Sequence, residues 1–228
     1  MLPISRDMLI ERIALLPPFL LSLTIHEYAH ARTALAFGDP TARDHGRVTL
    51  NPLAHLDPMG TLCLVLTGMF GWAKPVPVNP YNLHPRRLGD IAVSVAGPLS
   101  NLLLAVVTGV ALRLWWAYGP EPAVIDIDAA PVGHALIILV TVNVCLCVFN
   151  LVPLFPLDGH HVAREVLPAE HQSSFMHWQI RYGSIILMVL IFGPRLLRMF
   201  LPDAPIPDPL GWVFRHALRL TFRGLLFA

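Results

Sequence analysis

Five stretches of this 228-residue chain, 8–37, 59–73, 91–118, 132–152 and 183–201, are apolar enough to belong in a lipid bilayer. Backbone in hydrocarbon must satisfy its own hydrogen bonds, so such a chain is confined to helices or a closed barrel. A helix crosses in roughly 20 apolar residues and a barrel strand in about half that, and four of the five runs have helical length. Charged residues make up only 14% of the chain, against about a quarter in soluble domains. The expected fold is therefore an all-α polytopic membrane protein with about five to six transmembrane helices. The 59–73 stretch is short and contains Gly60, Gly68 and Gly71, so it need not cross.

The charges in the connections set a topology. Arg43 and Arg47 lie in 38–58, Lys74, Arg86 and Arg87 in 74–90, and Arg164 and Arg181 in 154–182. The 119–131 connection has Glu121, Asp126 and Asp128 and no basic residue. The positive-inside rule places the three basic connections in the cytoplasm and 119–131 outside. Two consecutive basic connections on one side mean that 59–73 enters and returns. It is expected as a re-entrant loop or a small membrane-associated β hairpin between the first and third hydrophobic segments. Arg6 and Arg12 then fall outside, against the rule. No small-residue cleavage site follows them, so the first segment reads as a retained helix rather than a signal peptide.

A net charge of +1 and the lack of a basic stripe argue against nucleic acid as a partner. Cys63, Cys145 and Cys147 all lie in apolar runs, as small buried hydrophobes do. Residues 212–227 mix Arg215, His216, Arg219 and Arg223 with aromatics and leucines. They are expected as a basic amphipathic helix on the membrane surface, with a sixth span as the alternative. The chain divides on this basis into a core, 1–182, and a tail of one transmembrane helix plus the amphipathic helix, 183–228.

The first apolar segment carries His26-Glu27-Tyr28-Ala29-His30. Histidines four apart share a helix face and can share one ion, and Glu27 beside them is placed to take a proton from a water that the metal activates. Such a pair in a soluble helix is often satisfied by backbone or water. Inside an apolar run an ionisable cluster is costly and usually functional. Zinc in a hydrolytic site takes three protein ligands and keeps one position open. Topology delivers Asp158 to the depth of the histidines, because the first and fourth segments both run from outside to inside. Pro153, Pro156 and Gly159 break the chain there, so the carboxylate can turn back into the bundle. His160 and His161 are rival ligands, while His55 beside Asp57 reads as structural or gating. His45, His84, His171, His177 and His216 are simplest as solvated or interfacial. Asn101 and Asn150 are amides at membrane depth, where an unpaired amide is expensive. Asn150 is a candidate for holding substrate or a developing oxyanion and ranks above Asn101, for which an inter-helix hydrogen bond is an equal alternative.

Four linked motifs now carry a resemblance. His26 to His30, Gly71-Trp-Ala-Lys-Pro-Val-Pro-Val-Asn79, Ala96-Gly-Pro-Leu-Ser-Asn101, and Asn150 through Asp158-Gly159 resemble the site-2 protease family of intramembrane zinc metalloproteases. They occur in that family's order over residues 20 to 165. The resemblance implies one Zn2+ held by His26, His30 and Asp158, with Glu27 as base. It implies cleavage of the transmembrane helix of a single-pass membrane protein, often after a first cut. The loop charges put the active site toward the cytoplasmic side, and the protein is expected in a bacterial inner membrane. A PDZ insert or CBS domain, carried by many relatives, is not found. Two other classes compete: a zinc transporter or sensor, which would not need Glu27, and an inactive relative, which commonly loses one of these residues.

Overall fold

The computed structural model describes residues 6–68, 71–119 and 130–227. The acidic residues Glu121, Asp126 and Asp128 lie outside them. Ten α-helices are described. The first, α1 (Arg6–Ala36), contains both Pro17 and Pro18. Short helices α2 (Thr41–Asp44) and α3 (Pro52–His55) lead to α4 (Pro58–Thr67), and a 3-10 turn at Pro80–Asn82 leads to α5 (Arg86–Tyr118). After α6 (Pro131–Asn150) come α7 (Gly159–Val166), α8 (Ala169–Trp178), a π-helical turn at Gln179–Gly183, α9 (Ser184–Phe200) and α10 (Pro209–Phe227).

Among the described residues, three helical stretches are long and apolar enough to cross a membrane: Arg86–Tyr118, Pro131–Asn150 and Ala169–Phe200. The chain is thus an integral, all-helical membrane protein. α1, α5 and α6 pack against one another. Ala105, Leu112, Val140 and Val144 form the centre between α5 and α6. The opposite face of α5 leaves Leu99, Leu103, Val106, Val107 and Val110 exposed, as a lipid-facing surface requires.

In two segments the structure adds to the expectation. Among the described residues of the 59–73 stretch there is no β hairpin: most of it is α4, and strand pairing is limited to one bridge between Leu56 and Ala73. The reason lies in Asp57-Pro58, a helix start: the Asp57 side chain caps α4 by accepting from the Gly60 amide at 2.8 Å, and proline suits the first helical position. Gly60 is required here, since a Cβ on it would stand 2.2 Å from the Trp72 carbonyl oxygen. The tail helix α10 does not stand apart from the bundle. Phe214 meets Phe149 near the end of α6, and Ala217, Leu218 and Phe222 pack on the α5–α6 centre, so α10 lies alongside α6. An amphipathic face can bury itself against protein or lipid, and sequence alone does not choose between them.

Candidate metal centre

His26 and His30 are one turn apart on α1, and their Nε2 atoms point to one place, 3.0 Å from each other. The opposite ring nitrogens are tied down. His30 Nδ1 lies 2.7 Å from the carbonyl oxygen of Val93, which can only accept, so Nδ1 carries the proton. His26 Nδ1 lies 2.6 Å from Asn101 Oδ1. The Asn101 amide donates to the Ser22 carbonyl at 3.2 Å and to Asn143 Oδ1 at 2.8 Å. Asn143 in turn donates to Ser22 Oγ at 2.8 Å and to the Leu139 carbonyl at 2.8 Å, and Ser22 Oγ donates to the Pro18 carbonyl. Backbone carbonyls fix the direction of the whole chain of bonds. It makes His26 Nδ1 a donor as well, so that in the neutral rings both Nε2 lone pairs are bare.

Asp158 enters from the broken end of α6. The buried Gln179 in the π turn accepts from the Phe155 amide at 3.0 Å and donates to the Pro153 carbonyl at 2.8 Å, pinning the stretch that leads to Asp158. Beyond it, α7 is clamped to α5 by a short Arg164–Asp90 ion pair. Asp158 Oδ2 thereby comes to 3.2 Å from His26 Nε2 and 3.3 Å from His30 Nε2. It is buried and has no hydrogen-bond donor. With both rings neutral, two imidazole lone pairs and a carboxylate oxygen converge, an arrangement that calls for a cation inside. An N, N, O donor set suits zinc and leaves a fourth position open. The space is built in: a Cβ on Gly97 would stand 2.2 Å from His30 Nε2 and 2.7 Å from His26 Nε2.

Glu27 faces the same cavity, of about 470 Å³, and its Oε2 accepts from the Val76 amide at 3.1 Å. The cavity walls include Leu146, Phe149, Asn150, Leu157 and Leu187. Of the residues singled out by sequence, His26, Glu27, His30 and Asp158 come together, and Asn150 lines the wall with one N–H on the Leu146 carbonyl at 3.0 Å. Asn101 sits behind His26 instead. His160 is turned to the Leu157 carbonyl, while His161 lines the cavity beside Asp90 at 3.8 Å. His55 is held by the Thr49 carbonyl at 2.8 Å, a structural placement. Asn143, Asp90 and Gln179 were missed. Asn143 could have been found by the rule that flagged Asn101 and Asn150, since it is also an amide inside an apolar run.

The Peptidase family M50 model matches residues 123–192. Two curated relatives share the name "Putative zinc metalloprotease". YwhC of Bacillus subtilis is 41% identical over 175 residues, covering 77% of this chain and 78% of that protein. Rip2 of Mycolicibacterium smegmatis is 33% identical over 186 residues, covering 80% and 68%. Zinc metalloprotease MJ0392 of Methanocaldococcus jannaschii is 28% identical over 108 residues, covering 46% and 28%. No solved structure matches the chain significantly. Extensive identity with these metalloproteases agrees with the donor set on α1 and after α6: the chain belongs to peptidase family M50, the site-2 proteases, and is a zinc metalloendopeptidase.

Proposed function

We propose that this enzyme hydrolyses a peptide bond within or near the transmembrane helix of single-pass membrane proteins. The observation that carries this reading is the convergence of His26, Glu27, His30 and Asp158 on one cavity between apolar helices. His26 Nε2, His30 Nε2 and Asp158 Oδ2 would hold the zinc. Bound there, zinc supplies an acidified water and a polarised carbonyl. Glu27 takes the proton from the attacking water and passes it to the leaving amine. The second N–H of Asn150 is the candidate donor to the developing oxyanion. A helical peptide bond is shielded, so the substrate must unwind locally. Residues 73–79 run along the cavity, beside which an unwound strand could lie. The charge distribution supports a site toward the cytoplasmic face, and the bacterial relatives support a bacterial inner membrane. Residues 1–182 form the catalytic core in this reading, with 183–228 as its membrane-bound tail.

The test is Glu27→Gln in the full chain with a transmembrane substrate. Cleavage should vanish while one zinc per chain is retained, and full-length substrates should accumulate on the variant. Wild-type cleavage by Glu27→Gln would overturn the reading.

A further inference from the structure

Residues 73–79, Ala-Lys-Pro-Val-Pro-Val-Asn, form a strap along the metal cavity. Pro75 and Pro77 have no amide proton, and each drives the residue before it toward extended backbone. The strap is therefore straightened by its own sequence, and between Lys74 and Val78 it can offer a single N–H, that of Val76. That proton goes to Glu27 Oε2.

Both flanks of Val76 are anchored. On one side, the buried Arg47 donates to the Pro75 carbonyl at 3.2 Å and, through a short bond, to the Lys74 carbonyl. The Lys74 amide donates to the His55 carbonyl at 2.8 Å, and Ala73 bridges to Leu56. On the other side, Asp39 is fully buried and its Oδ2 accepts from the Asn79 amide at 2.7 Å. Its Oδ1 accepts from Asn82 Nδ2 at 3.0 Å and from Thr41. Asp39 follows the end of α1 by three residues, and its own amide donates to the Ala34 carbonyl at 2.9 Å. The strap is thus fastened to the very helix that carries Glu27.

We propose that the backbone amide of Val76 is a positioning group for peptide hydrolysis. It fixes the Glu27 carboxylate through Oε2 and leaves Oε1 as the oxygen that receives the proton of the attacking water. Arg47 and Asp39 serve the reaction by holding the strap at the height where this bond forms. An untethered glutamate would sample several orientations, whereas a charge-assisted bond from a fixed amide selects one. The assignment rests on the hydrolytic reading above.

Two variants of the full-length enzyme, measured on one transmembrane substrate, test it. Val76→Pro removes the proton, and Val76→Ala shortens the side chain but keeps it. Loss of a bond to a charged group should lower kcat by about ten- to a hundred-fold in Val76→Pro, with KM and zinc content unchanged. Val76→Ala should exceed Val76→Pro in kcat at least ten-fold. Equal kcat in the two variants, or wild-type kcat in Val76→Pro, overturns the assignment. Should Val76→Pro lose zinc or fold, the ester analogue at residue 76 decides, because the α-hydroxy counterpart of valine keeps the shape without the proton. A ten-fold or larger fall in kcat then supports the role, and an unchanged kcat overturns it. If wild type and Glu27→Gln cleave alike, it is the hydrolytic reading that fails.

Discussion

Gly97→Ala is the smallest change that should empty this enzyme of metal. In the interior of α5 the substitution is favourable by propensity alone, by about 0.5–1 kcal/mol. The site opposes it. The new methyl would stand 2.2 Å from His30 Nε2, about 1.2 Å inside ordinary contact, and within 2.7 Å of both His26 Cε1 and Nε2. Zinc would need each imidazole nitrogen at 2.0–2.1 Å, and the methyl crowds both of those nitrogens. Neither ring can swing aside freely, because the Val93 carbonyl holds one and Asn101 the other. Working metal sites tolerate about 0.2 Å in ligand distance. Changes confined to the outer shell cost 10–100-fold in affinity, and this displacement of two proposed ligands must exceed that, costing more than about 2.8 kcal/mol of zinc binding. Zinc per chain and chelator competition on the purified protein measure it. Gly193→Ala on α9, where a Cβ meets a single Val189 methyl at an ordinary 3.6 Å, is the control and should keep its zinc. A folded Gly97→Ala protein with one zinc per chain and wild-type affinity would refute the assignment of the donor set.

Two further outcomes follow from groups outside that cradle. Asn143→Leu removes one of the two acceptors that keep the Asn101 NH2 turned away from His26 Nδ1, leaving only the Ser22 carbonyl at 3.2 Å to oppose the wrong tautomer; zinc affinity in chelator competition should fall about 10–100-fold. Asp39→Asn tests the fastening of the strap through pH. Burial raises the Asp39 carboxyl, but donors from Thr41, Asn82 and Asn79 outweigh it and hold the group below the usual carboxylate range. A lowered folded value contributes stability above the unfolded value, about 3.9, that is lost as pH falls through the folded one. The gap in unfolding temperature between wild type and Asp39→Asn should therefore be full near pH 6 and narrow below about pH 4; a gap that stays constant into acid would remove Asp39 from this role.

The residues that converge at the candidate site were legible because each broke a strong rule. His26 and His30 put polarity into an apolar helix at the spacing of one turn, and Asp158 followed a proline pair at the end of another. Helix α4 was legible in principle from Asp57-Pro58, but glycines and shortness suggested a loop or hairpin. The strap anchors were not legible. Asp39 and Arg47 stand in polar connections, where a charged residue is ordinarily solvated, and nothing local says that both are buried. Their partners arrive from 40 and about 28 residues away in sequence, a pairing that depends on the fold being complete.

One helix organises all of these contacts. Asp90, Val93, Gly97 and Asn101 recur on α5 at steps of three and four residues, which places them on a single face. Each serves a different part of the site: Asp90 clamps Arg164 on α7 just after Asp158, the Val93 carbonyl fixes His30, Gly97 makes room, and Asn101 fixes His26. The stripe runs about 16 Å along the axis at 1.5 Å per residue. An aspartate and an asparagine on the inner face of a membrane helix are expensive, and a pure packing role would be better filled by small apolar residues. Their cost is offset because none stands alone; every one is spent against a group of the candidate site. The sequence Ala96-Gly-Pro-Leu-Ser-Asn101 is accordingly not a second active-site motif. It is the cradle that sets the protonation and spacing of the histidines on α1, and it explains why a site needing bare imidazole nitrogens can exist in so apolar a bundle.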